Sequence, residues 1–153
     1  MAQRMQLADN LNVSSMVYVG IDTGKNTGVA VWCSGYNRNF FSMIQTMPIH
    51  KAMKVVLDLK ESYKEELFVI FEDARQRKYF GDSGKEVWQG AGSIKRDAVI
   101  WEDFLTDEGI AFRALPPAKG ATKMTAKAFN DLTGWKHHTS EHSRDAAMIV
   151  FGR

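Results

Sequence analysis

The run Leu67-Phe68-Val69-Ile70-Phe71 is apolar at every position. A strand wetted on one face alternates apolar with polar residues, whereas one covered on both faces reads as a continuous apolar stretch. This run therefore predicts a central strand sandwiched between layers, which in turn requires helices on both sides. The flanking sequence supplies the rest of such a domain. Val17 to Ile21, Val29 to Cys33 and Arg38 to Thr46 are strand-like runs joined by the turn-rich segments 22–28 and 34–37, an antiparallel meander. Ile49, Met53, Val56, Leu57 and Tyr63 recur at helical spacing behind Pro48, predicting a helix over 48–65. Val87, Ala91, Ile94, Ala98, Trp101 and Leu105 form a second, longer stripe, with Gly90 to Ser93 making one turn unusually small. A short strand over 110–115 ends at Pro116-Pro117, and helices are expected over 122–132 and 141–151. The order βββαβαβαα describes a mixed α/β layer domain without internal repeats.

A chain of 153 residues suits one domain. We read 16–153 as that domain and 1–15, which lack periodicity and precede Met16, as a flexible N-terminal extension. No apolar run approaches the ~18 residues of a membrane span, so no membrane partner is expected. The single cysteine, Cys33, admits neither an internal disulfide nor a zinc cluster, in keeping with a reducing cytoplasm. A net charge of +2 is too mild to identify a partner, so the placement of the charges has to.

Asp22 ends the first strand run and Glu72 follows the apolar strand. Ligands of open α/β sheets bind at strand ends. Asp145 and His142 lie three apart in the last expected helix and share a face. If that helix reaches the same sheet edge, three carboxylates and an imidazole converge, and like charges that close require a cation. Such donors suit Mg²⁺, with Mn²⁺ as substitute. Two such ions about 3.5–4 Å apart are a common device for phosphodiester hydrolysis. Glu141, beside His142, is the alternative third ligand.

Val19-Gly20-Ile21-Asp22-Thr23-Gly24 with Thr27-Gly28-Val29-Ala30, Ile70-Phe71-Glu72, Pro116-Pro117-Ala118-Lys119 with Lys127, and His142-Ser143-Arg144-Asp145-Ala146-Ala147 occur in the order and spacing of four motifs. Together they resemble the RuvC-type Holliday junction resolvases of the ribonuclease H-like superfamily. The likeness spans 16–153, and the short chain is reminiscent of bacteriophage versions. It departs from the family in having Asp-Thr-Gly where Asp-Pro-Gly is frequent, and His142 where Asp is frequent. The resemblance implies a five-stranded mixed sheet, three antiparallel strands then two parallel ones, flanked by helices. It further implies a homodimer cleaving four-way junctions and other branched DNA in a bacterial or phage-infected cell. Asp22, Glu72, His142 and Asp145 would be metal ligands, and Lys119 would neutralise the scissile phosphate.

Arg75, Arg77, Lys78 and Lys85 cluster around Tyr79 and Phe80, mixing phosphate-binding charge with stacking surface. Lys119, Lys123 and Lys127 recur every four residues, as if along one helical face. These nine residues are the expected DNA contacts. His137 and His138 read as polar loop residues, and Trp32, Trp88, Trp101 and Trp135 as core or interface aromatics. A ribonuclease H acting on RNA–DNA hybrids or a flap nuclease is the enzymatic alternative. The other is a non-catalytic branched-DNA binding protein, against which the joint presence of Asp22, Glu72 and Asp145 counts. An actin-like ATPase needs two domains and is excluded by length.

Overall fold

The β-branched run at the start of the domain pairs as its turns require. β1 (Met16–Asp22), β2 (Asn26–Ser34) and β3 (Phe40–Pro48) form the antiparallel meander. The structure, a computed structural model, describes residues 15–76, 85–118 and 123–153, the side chains of 85–91 excepted. The expected N-terminal extension lies outside the described residues up to residue 14. α1 (Ile49–Tyr63) leads to β4 (Leu67–Glu72), which pairs in parallel with β1. α2 (Lys85–Asp107) returns the chain to β5 (Phe112–Leu115), parallel to β4. α3 (Ala126–Thr133) and α4 (Glu141–Val150) complete it. The sheet order β3-β2-β1-β4-β5 makes β1 and β4 central. This is the five-stranded mixed sheet, three antiparallel strands and then two parallel ones, that the sequence implied. No helix among the described residues is long and apolar enough to cross a membrane.

Strand alternation divides the core in two. Val17, Val19, Ile21, Leu67, Val69 and Phe71 face α1 and α2, packing with Ala52, Val56, Ala98, Trp101 and Leu105. Ala30, Phe41, Ile44 and Ile70 face the opposite way, toward Phe129 of α3 and Ala146, Ala147 and Val150 of α4. The apolar run 67–71 is thus covered on both sides, as its composition demanded.

α4 lies unusually close to the sheet because two glycines stand beneath it. A Cβ built on Gly20 would fall 2.1 Å from the Ala146 carbonyl oxygen, and one on Gly28 2.0 Å from that of His142. No side chain fits in that space, so these positions set how deeply the helix seats.

Two local expectations are corrected. α3 starts at Ala126 rather than 122, because the Thr125 hydroxyl accepts from the Ala128 amide at 3.2 Å and caps the helix there. Lys123 consequently precedes the helix, and no single helical face carries it together with Lys127. Gly92 of α2 stands clear of the sheet, with no atom within 4 Å of a Cβ built on it, and Ile94 is 44% exposed. A helix of 23 residues spans ~35 Å, whereas the six-residue β4 beneath it spans ~20 Å, so one end overhangs.

Candidate active site

Ile21 pairs with Phe71 across the parallel β1–β4 ladder. Asp22 and Glu72 are the next residues on each strand, so the two carboxylates end adjacent strands. Both belong to the alternation set that faces α4. On the other side of β1, Asp22 pairs with Gly28, the residue on which the His142 carbonyl rests. The close seating of α4 therefore delivers His142 to Asp22: Nδ1 of the imidazole lies 2.8 Å from Oδ2 of the carboxylate.

Local hydrogen bonds hold each part in place. The Thr27 hydroxyl donates to the Gly24 carbonyl at 2.7 Å, fixing the turn after β1. The Thr23 hydroxyl donates to the Glu72 carbonyl at 3.3 Å, so the Thr that stands where Pro is frequent ties the two strand ends together. Ser140 and Ser143 form a reciprocal capping box at the start of α4, and Ser140 also bonds the Thr46 hydroxyl of β3. Arg144 donates from Nε to the Met124 carbonyl and from Nη1 to the Thr139 carbonyl, both at 2.8 Å. It pins the segment before α3 against α4.

That segment carries Lys123. Its ammonium is 3.1 Å from Oδ2 of Asp145 and ion-paired with Glu141. The Glu141 and Asp145 hydrogen bonds hold the lysine above its usual range, and Lys123 in turn draws the Glu141 carboxyl down. The Asp22 carboxyl is shifted up, first by burial and then by the negative charge of Asp145, against the opposing hydrogen bond and charge of His142 and the charge of Lys123. Asp145 therefore lies within electrostatic reach of Asp22, and Lys123 offsets part of their repulsion. With Asp22 ionised and able only to accept, Nδ1 of His142 carries the proton and Nε2 is the nitrogen left for another partner.

The donors brought to this edge are carboxylate oxygens and one imidazole nitrogen, a set whose chemistry fits Mg²⁺ or Mn²⁺. Among the described residues no three His, Cys, Asp or Glu side chains are gathered closely enough to hold a metal ion as they stand. Glu141, the alternative third ligand, is engaged by Lys123, while His142 engages Asp22.

The expected DNA contacts fare differently from one another. Arg75 bonds Asp73 through Nε at 2.8 Å and Nη2 at 2.9 Å, and reaches Glu102 of α2. It braces the turn after β4 rather than presenting a free cation. Lys127 is exposed and paired with Asp131 one turn on. Arg77, Lys78, Tyr79, Phe80 and Lys119, with the Lys85 side chain, lie outside the described residues.

The roles of Lys123, Arg144 and Thr23 were not legible beforehand. A lysine and an arginine near an acidic motif were the only signal, and their partners are distant in sequence. No protein-family model and no curated protein sequence matches the chain. Among solved structures, the chain is similar to the Fowlpox virus Holliday junction resolvase, at 18% identity and a TM-score of 0.39, covering 76% of this chain and 72% of that one. It is similar also to Fowlpox virus resolvase in complex with its substrate Holliday junction DNA, at 15% identity and a TM-score of 0.45, covering 86% of this chain and 94% of that one.

Proposed function

We propose that this chain is a divalent-metal-dependent endonuclease that cuts branched DNA, four-way junctions foremost. The observation that carries this reading is the meeting of Asp22 and His142 at 2.8 Å, with Glu72 ending the neighbouring strand and Asp145 one turn along the same helix. Asp22, Glu72, Asp145 and Nε2 of His142 would hold the ions. When bound, these would supply Lewis acidity toward a phosphodiester and the water that attacks it. Asp22 also orients the His142 ring through Nδ1. Lys123 pairs with Asp145 and Glu141, and would turn toward a phosphate when Asp145 ligates an ion. Lys119, matched by resemblance alone, would face the scissile phosphate.

A symmetric junction presents two equivalent strands, which suits a two-fold homodimer with one active site for each. Ala98 and Trp101 are fully buried on the sheet and leave no surface for a partner. The outward side of α2 exposes Val99 and Ile100 instead, and we assign the dimer contact to that side.

The test is one cleavage assay with four-way, flap, linear duplex and RNA–DNA hybrid substrates. Symmetric nicking of the four-way substrate in Mg²⁺ or Mn²⁺, abolished by EDTA, is expected. Cleavage that persists in EDTA would refute the metal assignment, and preference for the hybrid would make the chain a ribonuclease H instead.

A further inference from the structure

At the end of the sheet remote from Asp22, the start of β3, the end of β2 and the loop after α3 enclose a cleft of about 410 Å³. Its aromatic lining includes Phe40, which is 41% exposed, and Trp135. Arg38 places its guanidinium 5.3 Å from the Phe40 ring centroid, and Lys136 and His137 line the facing side. No acidic residue lines the cleft, and Arg38, Lys136 and His137 form no ion pair with a described residue. A half-exposed aromatic ring at Phe40 beside the cations Arg38 and Lys136 suits an unstacked base and its phosphate. A double helix hides its bases, so such a surface favours a single strand.

The register locates the cleft relative to the active site. Asp22 pairs with Gly28 and Gly28 with Thr46, so Phe40 lies six residues away along β3, about 20 Å. Trp32 and Phe41, from the α4-facing layer of the site, floor the cleft, while Phe40 pairs with Cys33 and belongs to the opposite alternation on the edge strand β3. A strand leaving the active site would reach Phe40 around that open edge.

We propose that this cleft binds a single-stranded DNA segment, stacking a base on Phe40 as Arg38 swings from the ring to a phosphate, with Lys136 holding the adjoining phosphate. It rests on the nuclease reading only for the identity of the nucleic acid, and it directs the enzyme toward branched substrates that carry an unpaired arm.

The experiment uses the full chain with Asp22→Asn to prevent cutting, titrated into a labelled thymidine dodecamer, a duplex of equal length and a uridine dodecamer. The thymidine oligomer should bind more tightly than the duplex and quench tryptophan fluorescence. Phe40→Ala and, separately, Lys136→Glu should each weaken its binding roughly tenfold, the loss expected of one stacked base. Neither residue touches the active site, so in the Asp22-containing chain both variants should cut a fully paired junction at the parent rate. Because Phe40 and Lys136 are exposed, folding should survive both changes. Unchanged oligomer affinity in both variants, or equal affinity for duplex and single strand, would overturn the proposal. Tenfold preference for the uridine oligomer would overturn the assignment to DNA. Should the oligomer bind as expected while no branched DNA is ever cut, the nuclease reading fails and the cleft stands.

Discussion

Burial lifts the Asp22 carboxyl above its ordinary value of 3.8, so between the two values the folded chain holds a proton that the unfolded chain releases. Stability then falls as pH rises through that window, and at neutral pH the penalty is complete. Asp22→Asn removes it while keeping an oxygen that accepts from His142. We expect this variant to melt higher than the parent at pH 7, with the gain shrinking below pH 4. Each ~1 kcal/mol corresponds to about 2–4 °C in a chain of this size. Cleavage should vanish while junction affinity, measured by gel shift, is kept or improved, because a charge facing phosphate is gone. A lower melting temperature would show that the His142 contact outweighs burial. A residue-scale contrast also separates the two ligand candidates. Since His142 reaches Asp22 and Glu141 reaches Lys123, His142→Ala should slow single-turnover cleavage by roughly 10- to 100-fold. Glu141→Ala should cost only a few-fold, and His142→Asp should retain activity. The reverse order would place the metal one residue earlier.

Elements meet here through absences of side chain as much as through contacts. A methyl group at Gly28 would collide with the backbone of His142, and one at Gly20 with that of Ala146. Backbone cannot rotate away, so Gly28→Ala must lift the first turn of α4. Overpacking of this sort costs about 1–3 kcal/mol, measurable by urea denaturation, and the lifted turn carries His142 off Asp22. Gly28→Ala should thus lose activity out of proportion to stability, whereas Gly20→Ala, deeper under the helix, should chiefly destabilise. The brace between β4 and α2 behaves differently. Asp73 is buried, and although burial raises its carboxyl, the Arg75 hydrogen bonds outweigh this and draw it below its ordinary value. That pair contributes stability above pH ~4 and loses it as pH falls through the lowered value. Arg75→Ala strands a buried carboxylate at a cost of roughly 1–3 kcal/mol, and acid unfolding should move to higher pH.

At the scale of the whole molecule, the outward side of α2 carries apolar residues that a lone protomer leaves in water. Val99 and Ile100 are 38% and 40% exposed. If they form the two-fold contact, sedimentation equilibrium should give a dimer, and Ile100→Glu a monomer with unchanged far-ultraviolet circular dichroism. The monomer should nick junctions without pairing the nicks on opposite strands. A parent chain that sediments as a monomer at micromolar concentration would remove this side of α2 from the dimer assignment.

The sequence by itself determined the elements, their order and the double coverage of β4, because hydrophobic period and turn chemistry act over a few residues. It also marked Asp22, Glu72, His142 and Asp145 as the acidic and imidazole groups able to share one sheet edge. Only the tertiary structure decided which of them touch. His142 and Asp22 are 120 residues apart and Lys123 and Asp145 are 22 apart, separations over which no local pattern records a partner. Arg75 shows the limit from the other side: its charge was plain in the sequence, but its commitment to Asp73 and Glu102 depends on how α2 crosses the end of β4. Gly20 and Gly28 read as turn and strand residues in a line of letters. Their function is the space above them, which exists only once α4 has packed down on the sheet.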